Sequence, residues 1–243
     1  MCIRDRGCLV KPQLGLGFLL LILLRRHWLA AGVAVLGIVL VAAIGIGRLM
    51  LAAPQWAGEL AGNIARDRGP GKVLDASQQG PSRFQMMDLQ PLLHMVVPEG
   101  AVTLVALAAV ALLAGLAIIK LYQLGMREHT LLAASGVGLL MLMPAYHRYY
   151  DAVLLLPLLV LIINALMRDR KDHLMIVLAV AMLLMVLPLP AILATLHHRG
   201  AIPASLYDAW AWQNFVMQHQ SWLLLISAMV LVCWTWRQRK AIQ

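Results

Sequence analysis

The stretch Trp28 to Ala53 holds 26 residues in which Arg48 is the single charge. As a helix it would measure about 39 Å at 1.5 Å per residue, more than the roughly 30 Å of a bilayer's hydrocarbon core. A run this apolar gains nothing from water, and in lipid its amides can be satisfied only within the segment, so a spanning helix is the expected solution. Further apolar runs follow at Ala101 to Ile119, Thr130 to Met143, Ala152 to Leu166, His173 to Leu196 and Trp222 to Trp236. Composition agrees. Of the 243 residues 62% are hydrophobic and 13% charged, against an apolar share of about 45–50% in soluble domains. The sequence therefore predicts an all-α, multi-span transmembrane bundle of about seven apolar helices.

The net charge of +9 would suggest nucleic acid in a soluble chain. Here the basic residues flank the apolar runs, so the lipid bilayer is the expected partner and nucleic acid is not. Clusters at Arg25/Arg26, Lys120/Arg127, Arg168/Arg170/Lys171 and Arg237/Arg239/Lys240 mark every second boundary, as the positive-inside rule requires. That alternation predicts a multi-pass protein of the plasma membrane (bacterial inner membrane) with a cytoplasmic C-terminus. Lys11, the long loop and the turn around His147 then share the outer face. Cys2, Cys8 and Cys233 have neither disulfide nor zinc spacing.

The chain divides as follows. Residues 1–6 resemble a translated sequencing-adapter remnant and lack a signal peptide's apolar core. They are expected to be non-native, and the chain is expected to be the C-terminal part of a longer protein. Residues 7–53 hold two membrane helices, the first of which is short: Leu14 to Leu24 gives about 11 residues where about 20 are needed. It spans either by extending upstream of Lys11 or by lying in a thin region with Lys11 at the interface. Residues 54–100 form an outer loop with amphipathic pieces, Trp56 to Arg66 among them, and Phe84 to Val97 either lies on the membrane or packs back on the helices. Residues 101–196 hold four membrane helices, the last broken at Pro188 and Pro190. Residues 197–220 form another outer loop, and 221–243 the last helix with a basic tail.

Two polar clusters stand out. In Pro144-Ala145-Tyr146-His147-Arg148-Tyr149-Tyr150-Asp151, helical geometry would put His147, Arg148 and Asp151 within one turn of each other. The turn is either a solvated hairpin in which Arg148 and Asp151 neutralise one another, or a site where cation, imidazole and carboxylate meet. In Lys11-Pro12-Gln13, the lysine either snorkels to headgroups or pairs as a fixed ammonium with a lipid phosphate. His197, His198 and His219 read as interfacial rather than metal-binding, and no metal site is expected. Trp210, Trp212, Trp222, Trp234 and Trp236 read as interface anchors, with Trp210 and Trp212 also able to stack on a sugar. Met182 and Met185 read as packing, and Asn164 as an interhelical contact.

Lys11-Pro12-Gln13 opening a helix that ends in Arg25-Arg26-His27-Trp28, followed by Tyr146-His147-Arg148-Tyr149-Tyr150-Asp151 and then Leu154-Leu155-Leu156-Pro157, resembles glycosyltransferase family 87. These are multi-span, GT-C-type mannosyltransferases that use polyprenyl-phosphate mannose. The resemblance runs from about Lys11 to Leu166. Met87-Asp88-Leu89-Gln90-Pro91 sits where the family has an outer loop of a different pattern.

What the resemblance implies is a hexosyltransferase moving mannose from a polyprenyl-phosphate sugar donor to a glycan or glycolipid acceptor on the outer face, with no cofactor. Charge on a departing phosphate needs cations aimed at it, and Lys11, His147 and Arg148 are the candidates. Gln13, Tyr149, Tyr150 and Gln90 are candidates for positioning donor or acceptor. A general base is normally a carboxylate. Asp151 and Asp88 are the candidates here, although the family's base is expected upstream of this chain. The rival expectations are a transporter or lipid flippase and a non-catalytic membrane subunit.

Overall fold

The computed structural model describes residues 12–67, 71–72, 77, 80, 83–123, 130–144 and 149–242. Every regular element among them is helical. In chain order these are α1 (Pro12–Leu24), α2 (Trp28–Ala52), α3 (Trp56–Asp67), α4 (Gln90–Leu93), α5 (Val102–Gln123), α6 (Thr130–Leu142), α7 (Leu156–Arg168), α8 (His173–Val186), α9 (Leu189–His198), α10 (Ala204–Tyr207) and α11 (His219–Ile242). The chain is an all-α membrane bundle. Three helical stretches, Trp28–Ala52, Asp151–Arg168 and His219–Arg237, are each long and apolar enough to cross a membrane. The pair α8 and α9, bent by 51° at their break, makes a fourth if it is one span. Among the described residues Val102–Ala117, within α5, and Thr130–Leu142 are further apolar stretches, shorter than a full span.

Helix direction follows from three sets of contacts. Gly17 of α1 lies against Val137 and Met141 of α6, so close that a Cβ there would come within 2.8 Å of the Val137 Cγ1 and Met141 Sδ atoms. At the far end of the same pair the Arg25 guanidinium donates to the Thr130 hydroxyl. Helices α1 and α6 are therefore antiparallel, and Pro12 lies at the end of the bundle where α6 reaches Pro144. Helices α8 and α11 are also antiparallel. Trp234 Nε1 donates to Asp172 Oδ2 at 2.8 Å, and Gln220 Nε2 donates to the Met185 carbonyl at 3.0 Å. With α6 and α7 joined as a hairpin, Pro12, Pro144, Met185 and His219 mark one end, the polar end. Arg25, Arg168, Lys171 and Arg237 mark the other.

The core sits where α6, α7, α8 and α11 meet, filled by Leu139, Leu142, Leu158, Met175, Leu178, Met185 and Leu224, all buried. Two local features let it close. Gly138 of α6 lies under the backbone of the 3₁₀ turn Tyr149–Leu155, where any Cβ would overlap the Leu154 carbonyl oxygen. A helix can approach another backbone this closely only where small residues allow it. The second feature is the break at Leu187 and Pro188, which leaves carbonyls of the last turn of α8 without helical donors. Gln220 supplies one from α11.

Helix α2 stands apart, with only 6% of its most apolar window buried. An apolar helix exposed all round has lipid as its solvent. Asn164, expected at a helix contact, lies instead on the exposed side of α7.

Candidate functional site

The polar end is built from a loop folded back onto a hairpin. Arg83–Gln85 forms a 3₁₀ turn, after which Met86, Met87, Leu89 and Leu92 are all buried. Of the two arrangements expected for Phe84 to Val97, it is packing against the helices that occurs. An aspartate two residues before an amide closes a tight local turn: Asp88 Oδ1 accepts from the Gln90 backbone N–H at 2.8 Å. Pro91, in the first turn of α4, needs no donor there. Leu89 N–H donates to the Met143 carbonyl at 3.0 Å, and Gln90 Nε2 donates to the Pro144 carbonyl at 3.0 Å. The segment 83–97 is thus fastened to the turn that ends α6.

Of the sequence-predicted residues, the structure brings Asp88, Gln90 and Asp151 to this end. Asp88 is 0% exposed and Asp151 4%. Tyr149 and Tyr150 open the 3₁₀ turn that contains Asp151, and Gln13 lies in the first turn of α1, at the same end. Lys11, His147 and Arg148 lie outside the described residues. The described residues Pro12, Pro144 and Tyr149 lie at this end.

Sequence reasoning missed a second group. Between α10 and α11 the chain makes a π-helical turn, Trp212–Val216, a form frequent at functional sites. Gln213 in that turn donates through Nε2 to the Tyr207 carbonyl at 2.7 Å and accepts at Oε1 from Arg83 Nη2 at 3.0 Å. Arg83 is only 7% exposed, and its guanidinium carbon lies 4.4 Å from the Phe84 ring centroid. Burial pulls its pKa down from the ordinary arginine value. Asn214, Gln218, Gln220 and Ser221 are buried in the same region. Gln218 Oε1 and Ser221 Oγ meet no hydrogen-bond partner among the described residues. The usable signal was the polar run from Gln213 to Ser221 immediately before an apolar helix, together with a lone arginine opening the apolar segment that starts at Phe84.

His197 of the 197–220 loop does local structural work. His197 stacks on Tyr207 with ring centroids 4.1 Å apart, and its Nδ1 lies 2.9 Å from the Ile202 carbonyl. Among the described residues no three His, Cys, Asp or Glu side chains gather as metal ligands would. Trp222 donates to the Asn214 carbonyl at 2.9 Å and stacks on Phe215. Trp210 remains exposed.

Two buried carboxylates, amides at the mouth of a hairpin, a buried guanidinium and a polar helix start make an end suited to binding a polar group at a membrane boundary. The model of glycosyltransferase family 87 matches residues 8–145, from α1 through the end of α6. No curated protein and no solved structure matches the chain.

Proposed function

We propose, from the premise that this chain belongs to glycosyltransferase family 87, that it moves mannose from a polyprenyl-phosphate donor to a glycan or glycolipid. Family membership makes it a membrane glycosyltransferase. The donor, the sugar and the outer face of the plasma membrane are the further content of the proposal, with the C-terminus cytoplasmic. In the reaction an acceptor oxygen bonds to the anomeric carbon as the bond from that carbon to the phosphate oxygen breaks. The acceptor's proton passes to a base, and the polyprenyl phosphate leaves as an anion. Lys11, His147 and Arg148 would hold that phosphate. Gln13, Gln90, Tyr149 and Tyr150 would position donor and acceptor. Asp151 and Asp88 are the carboxylates proposed as base within this chain. No cofactor enters the scheme.

The observation that carries this reading is convergence. The start of α1, the Asp88–Gln90 loop, Pro144 and Tyr149 reach a single end of the bundle. The basic clusters at Arg25, Arg168 and Arg237 lie at the other. Sugar transfer from radiolabelled polyprenyl-phosphate mannose, measured in membranes with Lys11→Ala and Arg148→Ala, is expected to show a raised donor KM, a lowered kcat, or both. Unchanged constants in both variants would remove these residues from the donor site.

The bent pair α8 and α9 is a feature shared with transporters, whose sites lie at broken helices. Flux of a lipid-linked sugar across vesicles without sugar transfer would support that rival.

A further inference from the structure

A buried cation calls for a counter-ion. Taking a guanidinium out of water is costly unless an anion or a full set of acceptors replaces the solvent. Arg83 is almost entirely buried, yet the one hydrogen bond of its guanidinium among the described residues is to a neutral amide, Gln213 Oε1. No carboxylate among the described residues pairs with it. The amide is itself fixed. Its nitrogen is committed to the Tyr207 carbonyl, so its oxygen has to face Arg83 and holds the guanidinium in one orientation. That leaves the rest of a planar fork of donors, at the polar end and five residues before Asp88, for a partner that the described residues do not supply.

We propose that Arg83, oriented by Gln213, binds a phosphate group, and that the ligand is the phosphomonoester or phosphodiester headgroup of a polyprenyl lipid. Arginine suits this role because its fork matches phosphate oxygens two at a time. Gln213 suits the positioning role because an amide orients the fork without neutralising it. The subsite is formed across two loops. One contains Arg83 and lies within the family-matched region; the other contains Gln213 and lies beyond it. The proposal rests on the lipid-phosphate reading above and adds to it a cation that reading does not use.

The test is equilibrium binding to the full chain in nanodiscs, comparing decaprenyl monophosphate with uncharged decaprenol. Inorganic phosphate serves as a competitor, and sugar transfer is not required. The unaltered chain is expected to prefer the phosphorylated lipid. Arg83→Met is expected to weaken that binding by about tenfold or more while leaving decaprenol binding unchanged. Gln213→Glu tests the same point without depending on how Arg83→Met folds. An internal carboxylate would neutralise Arg83, so thermal stability should rise or hold while phosphate-lipid binding falls by a similar factor. A merely structural Arg83 would not separate the two readouts.

A preference for the phosphorylated lipid that survives in both variants overturns the role of Arg83 and leaves the lipid-phosphate reading standing. Equal binding of the two lipids by the unaltered chain overturns the lipid-phosphate reading and this subsite with it. Inorganic phosphate that protects the unaltered chain from thermal unfolding, without any lipid preference, makes the ligand a free anion and overturns the headgroup assignment.

Discussion

At the scale of single residues, the tightest constraint is Gly138, whose missing side chain lets the Leu154 carbonyl lie against α6. A backbone oxygen cannot swing aside as a side-chain tip can. Gly138→Ala is therefore expected to cost more than about 2 kcal/mol, read as a lowered midpoint in thermal unfolding of the detergent-solubilised protein. Gly136, two residues earlier, meets nothing within 4 Å. Gly136→Ala should be neutral or stabilising by up to about 1 kcal/mol, since alanine is the better helix former. Gln90→Leu removes the donor to the Pro144 carbonyl and should cost about 1 kcal/mol. If transfer activity falls far more than that loss explains, Gln90 acts on substrate as well. Asp88, Gln90 and Asp151 were legible as candidates because polar residues are rare in so apolar a chain. Arg83 and Gln213 were not, because their partnership spans 130 positions and nothing in either local sequence points to the other.

At the scale of elements, long apolar periodic runs read well. The run Trp28 to Ala53 is helix Trp28–Ala52, and Thr130 to Met143 is helix Thr130–Leu142. Pro188 and Pro190 break the run that begins at His173 into α8 and α9. The turn beside Asp151 differs. It is 3₁₀ from Tyr149 to Leu155 rather than α-helical, with the backbone of Leu154 closing over Gly138, a contact that hydropathy does not reveal. The N-terminus of α8 is held by Asp172, whose Oδ1 accepts from the Leu174 N–H at 3.1 Å and whose Oδ2 accepts from Trp234. Asp172→Ala removes both the cap and the tie to α11, and should cost about 1–3 kcal/mol in thermal unfolding. Arg237 lies 3.9 Å from the same carboxylate but is largely exposed, so Arg237→Ala should change stability by less than about 1 kcal/mol. Equal losses from the two variants would show that the ion pair, not the cap, holds this corner.

At the scale of the whole molecule, the fold separates its chemistry by end. Arg25, Arg168, Lys171 and Arg237 lie at one and Asp88, Gln90, Asp151 and Arg83 at the other, and the grouping of the first four was legible in the sequence because it depends only on the order of basic clusters. In a background with Cys2, Cys8 and Cys233 changed to Ser, a membrane-impermeant thiol reagent added outside intact cells should label Ala201→Cys and spare Lys171→Cys. The reverse pattern would invert the proposed orientation. Helices α1 and α6 lie side by side, and over the described residues each runs for 13 residues, about 20 Å at 1.5 Å per residue against a hydrocarbon layer of about 30 Å. Where a pair of that length is all that faces the lipid, the hydrophobic mismatch is relieved by a local dimple in the surrounding leaflets. The proposed carrier, with its charged group at the lipid surface, would there sink toward the mouth of the hairpin with its isoprene tail still immersed, instead of having to be lifted out of the bilayer to react.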